Sequence, residues 1–342
     1  MEKRFEDFLK HVETAVREKR IPGAVAAIGR GGELYALKAC GNAIITPVVE
    51  PMTEDTLFDV ASLSKLVGVW SGIVQYLANG RLPLDATLPE AIGRRTHEKL
   101  KNVTVWNLLT HTAGLVPFHD TFEFGDTREE RIQGLLDLAP VAEPGKEVVY
   151  SDLSFIFLGE ILARLAGKPL EEAAADTWRA LGMNDTCFNP PKTAYCAATE
   201  IRAGETLPVR GTVHDERADQ LGGVAGHAGV FSTARDLARF CAALLPPTPS
   251  PIFDPEWVKR SFANQTAHLG SNRGLGWIAY TERPEGNIVG HTGFTGTSLW
   301  LDSATGLYVV LLANRVHPSR DNDAMYPIRK FGYETIFGVP YV

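Results

Sequence analysis

Hydrophobic residues near the start of the chain recur every three to four positions over residues 5–19, which predicts an amphipathic helix. Two short apolar runs follow, at 24–29 and 34–41, with a Gly-Gly pair between them, a pattern typical of an antiparallel hairpin. A second helical pattern then covers about 63–79 and ends at a glycine. Ser62 is therefore expected at the start of a helix.

The middle of the chain, from 81 to about 263, alternates helical patterns with loops rich in proline and glycine. Helices are predicted at 105–109, 128–138, 154–165 and 170–181. After this region the period-two alternation of strands returns. Strands are predicted at 275–280, 287–290, 297–302 and 307–313, before a last helix at about 320–337.

Hairpins at both ends of the chain favour an antiparallel sheet, and the helices beside them are available to cover it. The predicted fold class is therefore α/β (α+β): an antiparallel sheet flanked by helices, with a mainly helical domain inserted between its halves. Residues 1–80 and 264–342 are expected to form the sheet domain, and residues 81–263 the helical domain. A site for chemistry is expected in the cleft between them.

The composition narrows the class of protein. The chain has 342 residues, 44% of them hydrophobic, and a net charge of −7 without a basic stripe, which argues against a nucleic-acid partner. Its N-terminus shows neither a signal sequence nor an apolar run long enough to cross a membrane, so a cytoplasmic location is expected. Four cysteines without a C-x-x-C pair indicate reduced thiols rather than disulfides or a zinc site.

Ser62 and Lys65 form the motif S-x-x-K on the first turn of the predicted helix. Positions i and i+3 lie on one helix face, so the lysine amine is expected beside the serine hydroxyl. A serine hydroxyl needs a base to become a nucleophile. Burial and nearby positive charge can lower the pKa of a lysine, and we expect this to let Lys65 act as that base.

Two further motifs follow in order along the chain. Tyr150 and Asp152 precede an apolar helix, and His291, Thr292 and Gly293 lie in a predicted strand. Together with S-x-x-K they resemble the S-x-x-K, Y-x-N and K-T-G motifs of class C β-lactamases, penicillin-binding proteins and related serine esterases. The resemblance covers nearly the whole chain, including the stretches 104–115 and 221–232.

The resemblance implies a β-lactamase/transpeptidase-like fold and a serine hydrolase. Ser62 would attack a carbonyl and form an acyl-enzyme, while Lys65 and Tyr150 accept and return protons. The backbone amides of Ser62 and Phe294 would hold the oxyanion. Neither a metal nor an organic cofactor is implied, and the residues expected to bind substrate are Asp152, His291, Thr292 and Gly293.

Two departures from the motifs bear on the substrate. The third motif has His291 in place of lysine, and a histidine only partly charged near neutral pH anchors a substrate carboxylate less firmly. The second motif has Asp152 in place of asparagine, which still accepts a hydrogen bond from Lys65 but has no NH₂ to donate. Both changes weaken a β-lactamase reading, and Asp152 is a candidate for binding a substrate amine.

Three other histidines are candidate functional groups. His214 and His227, with the acidic residues beside His214, are metal-type ligands but lack the H-x-x-x-H spacing of a zinc helix, which favours structural or substrate-lining roles. His111 is interpreted as a turn element or a buried, hydrogen-bonded histidine rather than a catalytic base. The chain also lacks the G-x-S-x-G motif of the α/β-hydrolases.

The sequence leaves several functions open. The first is hydrolysis of an ester or amide by a carboxylesterase, a D-amino-acid peptidase or a muropeptide amidase, and residues 213–232 favour the amidase branch by resemblance. A β-lactamase is the second. A penicillin-recognising sensor that does not turn over is the alternative from another class. The expected partner is a small ester, amide, peptide or β-lactam, and the oligomeric state is left open.

Overall fold

The computed structural model describes residues 2–247 and 249–341. Within these ranges the chain forms strands and helices that alternate at both ends and a helical stretch between. The strands are β1 Gly23–Arg30, β2 Glu33–Ile44, β3 Glu50–Pro51, β4 Phe58–Asp59, β5 Cys187–Phe188, β6 Val230–Ser232, β7 Ile278–Thr281, β8 Ile288–Thr292, β9 Ser298–Asp302 and β10 Leu307–Ala313. The α-helices are α1 Glu2–Arg17, α2 Ser71–Ala78, α3 Leu88–Ile92, α4 Val105–Leu109, α5 Arg128–Leu136, α6 Asp152–Ala166, α7 Leu170–Ala180, α8 Glu216–Gln220, α9 Ala234–Ala243, α10 Pro255–Phe262 and α11 Met325–Phe337.

The main sheet has seven strands in the order β3-β2-β1-β10-β9-β8-β7. Every neighbouring pair is antiparallel, and β1 joins the two ends of the chain by pairing with β10 from Ala24–Ala313 to Arg30–Leu307. A small sheet has three strands in the order β4-β6-β5, and its strand β4 directly precedes the Ser62 segment in the sequence. The predicted antiparallel sheet is therefore confirmed.

Both faces of the central strands are buried, and the period-two alternation divides their side chains between two cores. In β1, Val25 and Ala27 belong to the larger core, whereas Ala26 and Ile28 pack toward α1 and α11. Strand β10 alternates in the same way. The sheet is thus sandwiched between α1 and α11 on one face and the helices of the larger core on the other, as the sequence predicted.

The proposed division of the chain into two units stays a prediction. Helix α9 falls within the stretch assigned to the helical domain, yet it packs against β1 and β10 of the sheet. No helix among the described residues is both long and apolar enough to cross a bilayer.

The helix after Ser62 differs from the single helix predicted at 63–79. A turn of 3₁₀-helix covers Ala61–Leu63, a π-helical segment follows at Lys65–Trp70, and only Ser71–Ala78 is α-helical. Short π-helical segments are rare and often occur at functional sites. The spacing of apolar residues indicates only that one face of this helical segment is buried. Such burial is compatible with 3₁₀-, π- and α-helix, so the spacing could not distinguish among them.

Helix α6 crosses the loop before β6 with almost no space between the two backbones. A Cβ added to Gly226 would lie 1.8 Å from the carbonyl oxygen of Phe155, and one added to Gly159 would lie 3.0 Å from the Cα of Gly226. Only residues without a side chain allow this approach. The crossing fixes the start of α6 relative to the loop, and both contribute residues to the cleft described below.

We expect Gly226→Ala to lower the free energy of unfolding by more than about 3 kcal/mol, because backbone atoms cannot rotate away from the added methyl group. Gly182→Ala is the matched control: Gly182 has a φ of +67° but open space around it. The control should cost about 1–2 kcal/mol, from backbone strain alone. Thermal unfolding of both variants measures the difference, and equal midpoints would contradict the packing argument.

Candidate active site

Ser62 lies in a tight turn whose backbone is held by a buried carboxylate. Ala61, directly before it, has a φ of +48°, a left-handed conformation that costs a non-glycine residue free energy. The Ala61 amide donates to Oδ1 of Asp59 at 2.9 Å, and the His214 amide donates to Oδ2 of Asp59 at 2.6 Å. Burial raises the pKa of Asp59, while these two N–H groups oppose the rise.

The turn after β8 is attached to the same segment. Thr295 donates its hydroxyl to the carbonyl of Asp59 at 2.8 Å, and Thr297 donates its hydroxyl to the carbonyl of Val60 at 2.9 Å. Gly293 lies so close that an added Cβ would be 2.6 Å from the carbonyl oxygen of Val60. These contacts bring the third motif against the turn that presents Ser62.

Lys65 is fully buried and its Nζ atom has three acceptors. They are Ser62 Oγ at 3.0 Å, Asp152 Oδ1 at 2.8 Å and the carbonyl of His227 at 3.2 Å. An ammonium group has three donors, so the arrangement satisfies the charged form completely. The side chains of Ser62 and Asp152, which belong to the first and second motifs, therefore meet at the Nζ atom of Lys65.

The charge state of Lys65 differs from the expectation. Burial by itself lowers the pKa of Lys65, but the carboxylate of Asp152 and the nearby Tyr150 hydroxyl outweigh it and raise the pKa above the ordinary 10.5. The expected lowering of the Lys65 pKa is therefore not met in this state of the site, and the role of Lys65 in proton transfer stays a prediction. Sequence spacing placed the amine correctly but could not reveal its counter-ion.

Tyr150 is held at the N-terminus of α6 by residues from another part of the chain. The Ser151 amide donates to Nδ1 of His111 at 3.2 Å, and the Val149 amide donates to the His111 carbonyl at 2.9 Å. The ring of His111 lies 4.5 Å from the Tyr150 ring, centre to centre. Lys65 Nζ lies 5.0 Å from the centre of the Tyr150 ring.

His111 is a buried, hydrogen-bonded histidine, in keeping with the sequence interpretation. Its φ of +57° and its 1% exposure mark a constrained turn. Burial, followed by the charges of Arg273 and Lys65, holds its pKa well below the usual range. It is therefore neutral, and its contacts with the segment around Tyr150 indicate a positioning role.

His291 is also buried and neutral. Burial, then the positive charges of Arg273 and Lys65, lower its pKa to about 3. Its Nδ1 lies 2.8 Å from the carbonyl of Thr292, which fixes Nδ1 as the donor and leaves Nε2, without a partner among the described residues, as an acceptor. The expectation of a partly charged histidine at neutral pH is wrong, so His291 does not supply the positive charge that lysine would bring.

The two candidate oxyanion donors, Ser62 and Phe294, line the same cavity. The carbonyl of Phe294 accepts a hydrogen bond from Nε of Arg315 at 2.8 Å. The Phe294 ring contacts the Arg315 guanidinium, 4.5 Å from the ring centre, and stacks on the His214 ring at 5.6 Å between centres. The role of these two amides stays a prediction.

The cleft is a cavity of about 670 Å³ that holds most of the residues expected from the sequence. Lys65 lies behind its wall, completely buried. The expected residues that line it are Ser62, Tyr150, Asp152, His291, Thr292, Gly293 and Phe294. The three motifs thus share one cleft, which is the spatial arrangement that the resemblance required.

Asp215 and His227 complete one wall of the cavity. Nε2 of His227 lies 2.9 Å from Oδ1 of Asp215, which also accepts hydrogen bonds from the amides of Arg217 and Ala218. Burial raises the pKa of Asp215, but His227 and these amides outweigh it and hold the pKa below its usual range. Possible metal-ligand atoms of Asp152, Asp215 and His227 lie within 4.8 Å of one another. Asp215 is bonded to His227, and Lys65 donates to both Asp152 and the His227 carbonyl, so hydrogen bonds account for that closeness.

Sequence reasoning missed several residues that build this site. Asp59, Thr295 and Thr297 hold the turn around Ser62. They lie next to the first and third motifs but do not belong to them, so the motifs gave no signal for them. Asp215 was considered as a metal-type residue, not as the partner of His227. Arg273, which lines the cavity, lies in a stretch with no recognisable motif.

Fold and cleft together define a class of protein: a serine hydrolase of the β-lactamase/transpeptidase-like type. The family model described as "Beta-lactamase" matches residues 8–332, and the chain belongs to that family. The sequence prediction of a hydrolase related to β-lactamases is thereby confirmed.

Individual relatives are similar at moderate identity. A protein of Bacillus subtilis (strain 168) named N-acetylmuramyl-L-alanine amidase is 28% identical, over 86% of this chain and 78% of its own length. A class C β-lactamase from Rhodobacter sphaeroides has a similar structure, with a TM-score of 0.74 and 25% identity over 94% of this chain and 98% of its own. The structure of a β-lactamase/D-alanine carboxypeptidase from Pseudomonas syringae is also similar, with a TM-score of 0.77 and 24% identity over 98% of this chain and 99% of its own length.

The ion pair between Lys65 and Asp152 should control the pH dependence of activity. With Asp152 present, the pKa of Lys65 lies above 10.5, so the lysine stays charged through pH 10. In the variant Asp152→Asn, the carboxylate that offsets the effect of burial on Lys65 is gone, so the pKa of Lys65 falls. If the charged form is the active one, the wild type should retain kcat/KM for an activated ester up to about pH 10, whereas the variant should lose activity at lower pH.

The control is Asp219→Asn, which removes an equal charge from a half-exposed carboxylate paired with Arg202. Its profile should match that of the wild type. An Asp152→Asn profile that also coincides with the wild type across pH 6–10 would mean that Asp152 does not set the charge of Lys65.

Proposed function

We propose that Ser62 is the nucleophile of an acyl-transfer reaction to water. The observation that carries the proposal is the contact of Ser62 Oγ, at 3.0 Å, with the Nζ atom of a fully buried, charged lysine. Buried charges are costly and rarely retained without function. A fixed positive charge at this distance stabilises negative charge that develops on the serine oxygen during attack.

The proton of Ser62 goes to Tyr150 in this mechanism. A charged Lys65 has no lone pair with which to accept a proton, so its part is electrostatic. As Ser62 Oγ bonds to the carbonyl carbon, its proton passes to the Tyr150 oxygen while the Tyr150 hydroxyl gives its own proton to the departing oxygen or nitrogen. When water attacks the acyl-enzyme, a proton of the water passes to the Tyr150 oxygen while the Tyr150 hydroxyl gives its proton to Ser62 Oγ, and the bond from Ser62 to the acyl group breaks.

The remaining predicted residues surround the carbonyl. The backbone amides of Ser62 and Phe294 are the proposed donors to the oxyanion. His291 contributes an acceptor nitrogen at the wall of the cleft, and Thr292 and Gly293, at the end of β8, line the part of the cleft where a substrate would lie. The free oxygen of Asp152 remains available to a substrate amine.

Amides are the favoured substrates, with a muramyl amide as the leading example. The likeness to the Bacillus subtilis amidase covers 86% of this chain and supports this choice. A β-lactamase is the second candidate, supported by the Rhodobacter sphaeroides structure but weakened by the neutral His291 in place of lysine. A cytoplasmic location is part of the proposal and rests on the sequence alone.

Substitution of Ser62 by alanine should abolish covalent labelling. We expect a fluorophosphonate to add one adduct to the wild type, mapped to the peptide that contains Ser62, and none to Ser62→Ala. Ser154→Ala is the control, since the hydroxyl of Ser154 is buried and has no hydrogen-bond partner among the described residues. An adduct on any other serine in the wild type would refute the assignment.

A panel of substrates separates the alternatives. Muramyl-L-alanine, a peptide ending in D-alanyl-D-alanine, an aryl ester and nitrocefin are compared on the wild type and on Ser62→Ala. Turnover of the muramyl amide above nitrocefin supports the proposal, whereas the reverse order supports the β-lactamase. A stable acyl adduct with penicillin and no turnover of any substrate would indicate the sensor.

Tyr150→Phe should lower kcat by about 10²–10⁴-fold, because loss of a general acid–base group costs about that much. The ring contacts with His111 and Lys65 remain, so folding should be retained. Tyr195→Phe is the control: its hydroxyl donates to the carbonyl of Pro51, far from the chemistry proposed here. Steady-state kinetics on an aryl ester measure the effect, and an unchanged kcat in Tyr150→Phe would exclude the proton path.

A further inference from the structure

Arg329 of α11 holds the turn that follows β8. Its Nη2 atom donates to the carbonyl of Gly293 at 2.9 Å and to the carbonyl of Thr297 at 2.7 Å. Both N–H bonds of that nitrogen are therefore engaged. The Gly293 carbonyl also accepts from the amide of Gly296 at 3.2 Å, so the turn has a hydrogen bond of its own beside the one from the arginine.

The Phe294 amide, a proposed donor to the oxyanion, belongs to the same peptide group as the Gly293 carbonyl. The bond between the two residues is trans. In a planar trans peptide the N–H points away from the C=O, so a donor that fixes the direction of the Gly293 carbonyl also fixes the direction of the Phe294 N–H. That N–H has no acceptor among the described residues, and Phe294 lines the cavity.

Arg329 also affects the strength of this donor. Burial lowers the pKa of Arg329 to about 10, so the guanidinium keeps its charge at neutral pH. A charged group that binds a carbonyl draws electrons toward the oxygen and leaves the N–H of the same peptide more positive, as in other chains of hydrogen bonds. Negative charge that develops in the cleft then meets a stronger donor, with the arginine charge behind it.

The position of Arg329 is unfavourable for the stability of the fold. Its Nε atom is buried and has no hydrogen-bond partner in the described part of the chain. A charge taken out of water with incomplete hydrogen bonds reduces stability. Because perturbed charges of this kind concentrate at functional sites, the arrangement supports a role in the reaction.

We propose that Arg329 is a positioning residue that orients and polarises the Phe294 amide for the oxyanion. This inference rests on the proposed function, in which that amide binds the oxyanion of an acyl-transfer reaction. In this role Arg329 does not touch the substrate and acts through one peptide group. Arg315 differs, because it donates to the carbonyl of Phe294, and that carbonyl belongs to the next peptide group, which does not carry this N–H.

The rates on 4-nitrophenyl acetate and on its thionoester, in which sulfur replaces the carbonyl oxygen, separate this role from a structural one. Sulfur is a weak hydrogen-bond acceptor, so the oxyanion donors contribute much less to the reaction of the thionoester. We expect Arg329→Met to lower kcat/KM for the ester by about tenfold to hundredfold, part of the roughly 10²–10³-fold that loss of an oxyanion donor costs. The rate on the thionoester should stay within about threefold. Equal losses on both substrates would indicate a structural role and overturn the proposal.

Arg315→Met is the matched control, because it removes an equal charge from the same turn together with a hydrogen bond to the next carbonyl. This variant should change the ratio of the two rates by less than about threefold, since the peptide that carries the Phe294 N–H keeps its own donor. A fall in the ratio as large as in Arg329→Met would assign the effect to the turn as a whole and overturn the proposal.

Arg329→Lys provides the test if Arg329→Met does not fold. Lysine keeps the charge but not the fixed geometry of the guanidinium, so the ratio should fall by about threefold to tenfold. An unchanged ratio, or equal losses on both substrates, would overturn the proposal, as would a wild type that shows no preference for the ester. Failure of the underlying function looks different: Ser62→Ala would then hydrolyse 4-nitrophenyl acetate as fast as the wild type.

Discussion

The buried ion pair between Lys65 and Asp152 is the interaction on which the site depends. It joins side chains 87 positions apart at 2.8 Å and leaves the lysine with no exposed surface. A lysine charge so far from water is stable only if its hydrogen bonds are complete, and Lys65 reaches that condition by donating also to Ser62 and to the carbonyl of His227. Removal of either charge would leave the other uncompensated. The pair therefore fixes the nucleophile turn, the start of α6 and the loop before β6 relative to one another.

Burial and positive charge together set the state of the histidines around Lys65. Burial lowers the pKa values of His111 and His291, and the charges of Arg273 and Lys65 act in the same direction. The two histidines are thereby reduced to neutral hydrogen-bonding groups, and proton transfer is left to Tyr150, which both cations approach. The positive charge of this cleft therefore comes from Lys65 and Arg273, and the neutral His291 of the third motif adds none.

Much of the fold could be predicted from the sequence because strand and helix patterns are local. The bounds of α4 and β10 agree with the prediction residue for residue, and Ser62 lies at a helix start as expected. What could not be predicted depends on contacts between distant segments. The charge of Lys65 is set by Asp152, the neutrality of His291 by burial and Arg273, and the π-helical turn at Lys65–Trp70 by packing. A sequence motif shows which residue types are present, but the pKa of each residue depends on the groups that surround it in the folded protein.

The strain beside Ser62 is the last element of this arrangement. Ala61 holds a left-handed backbone on one side of the serine, and a π-helical turn begins at Lys65 on the other. Neither conformation is favourable alone, so the surrounding structure must compensate for both. The carboxylate of Asp59 and the two threonine hydroxyls from the turn after β8 supply that compensation with hydrogen bonds of 2.8–2.9 Å. Because these bonds form on folding, the serine already lies against its cation before a substrate arrives, and little reorganisation is left for the reaction itself.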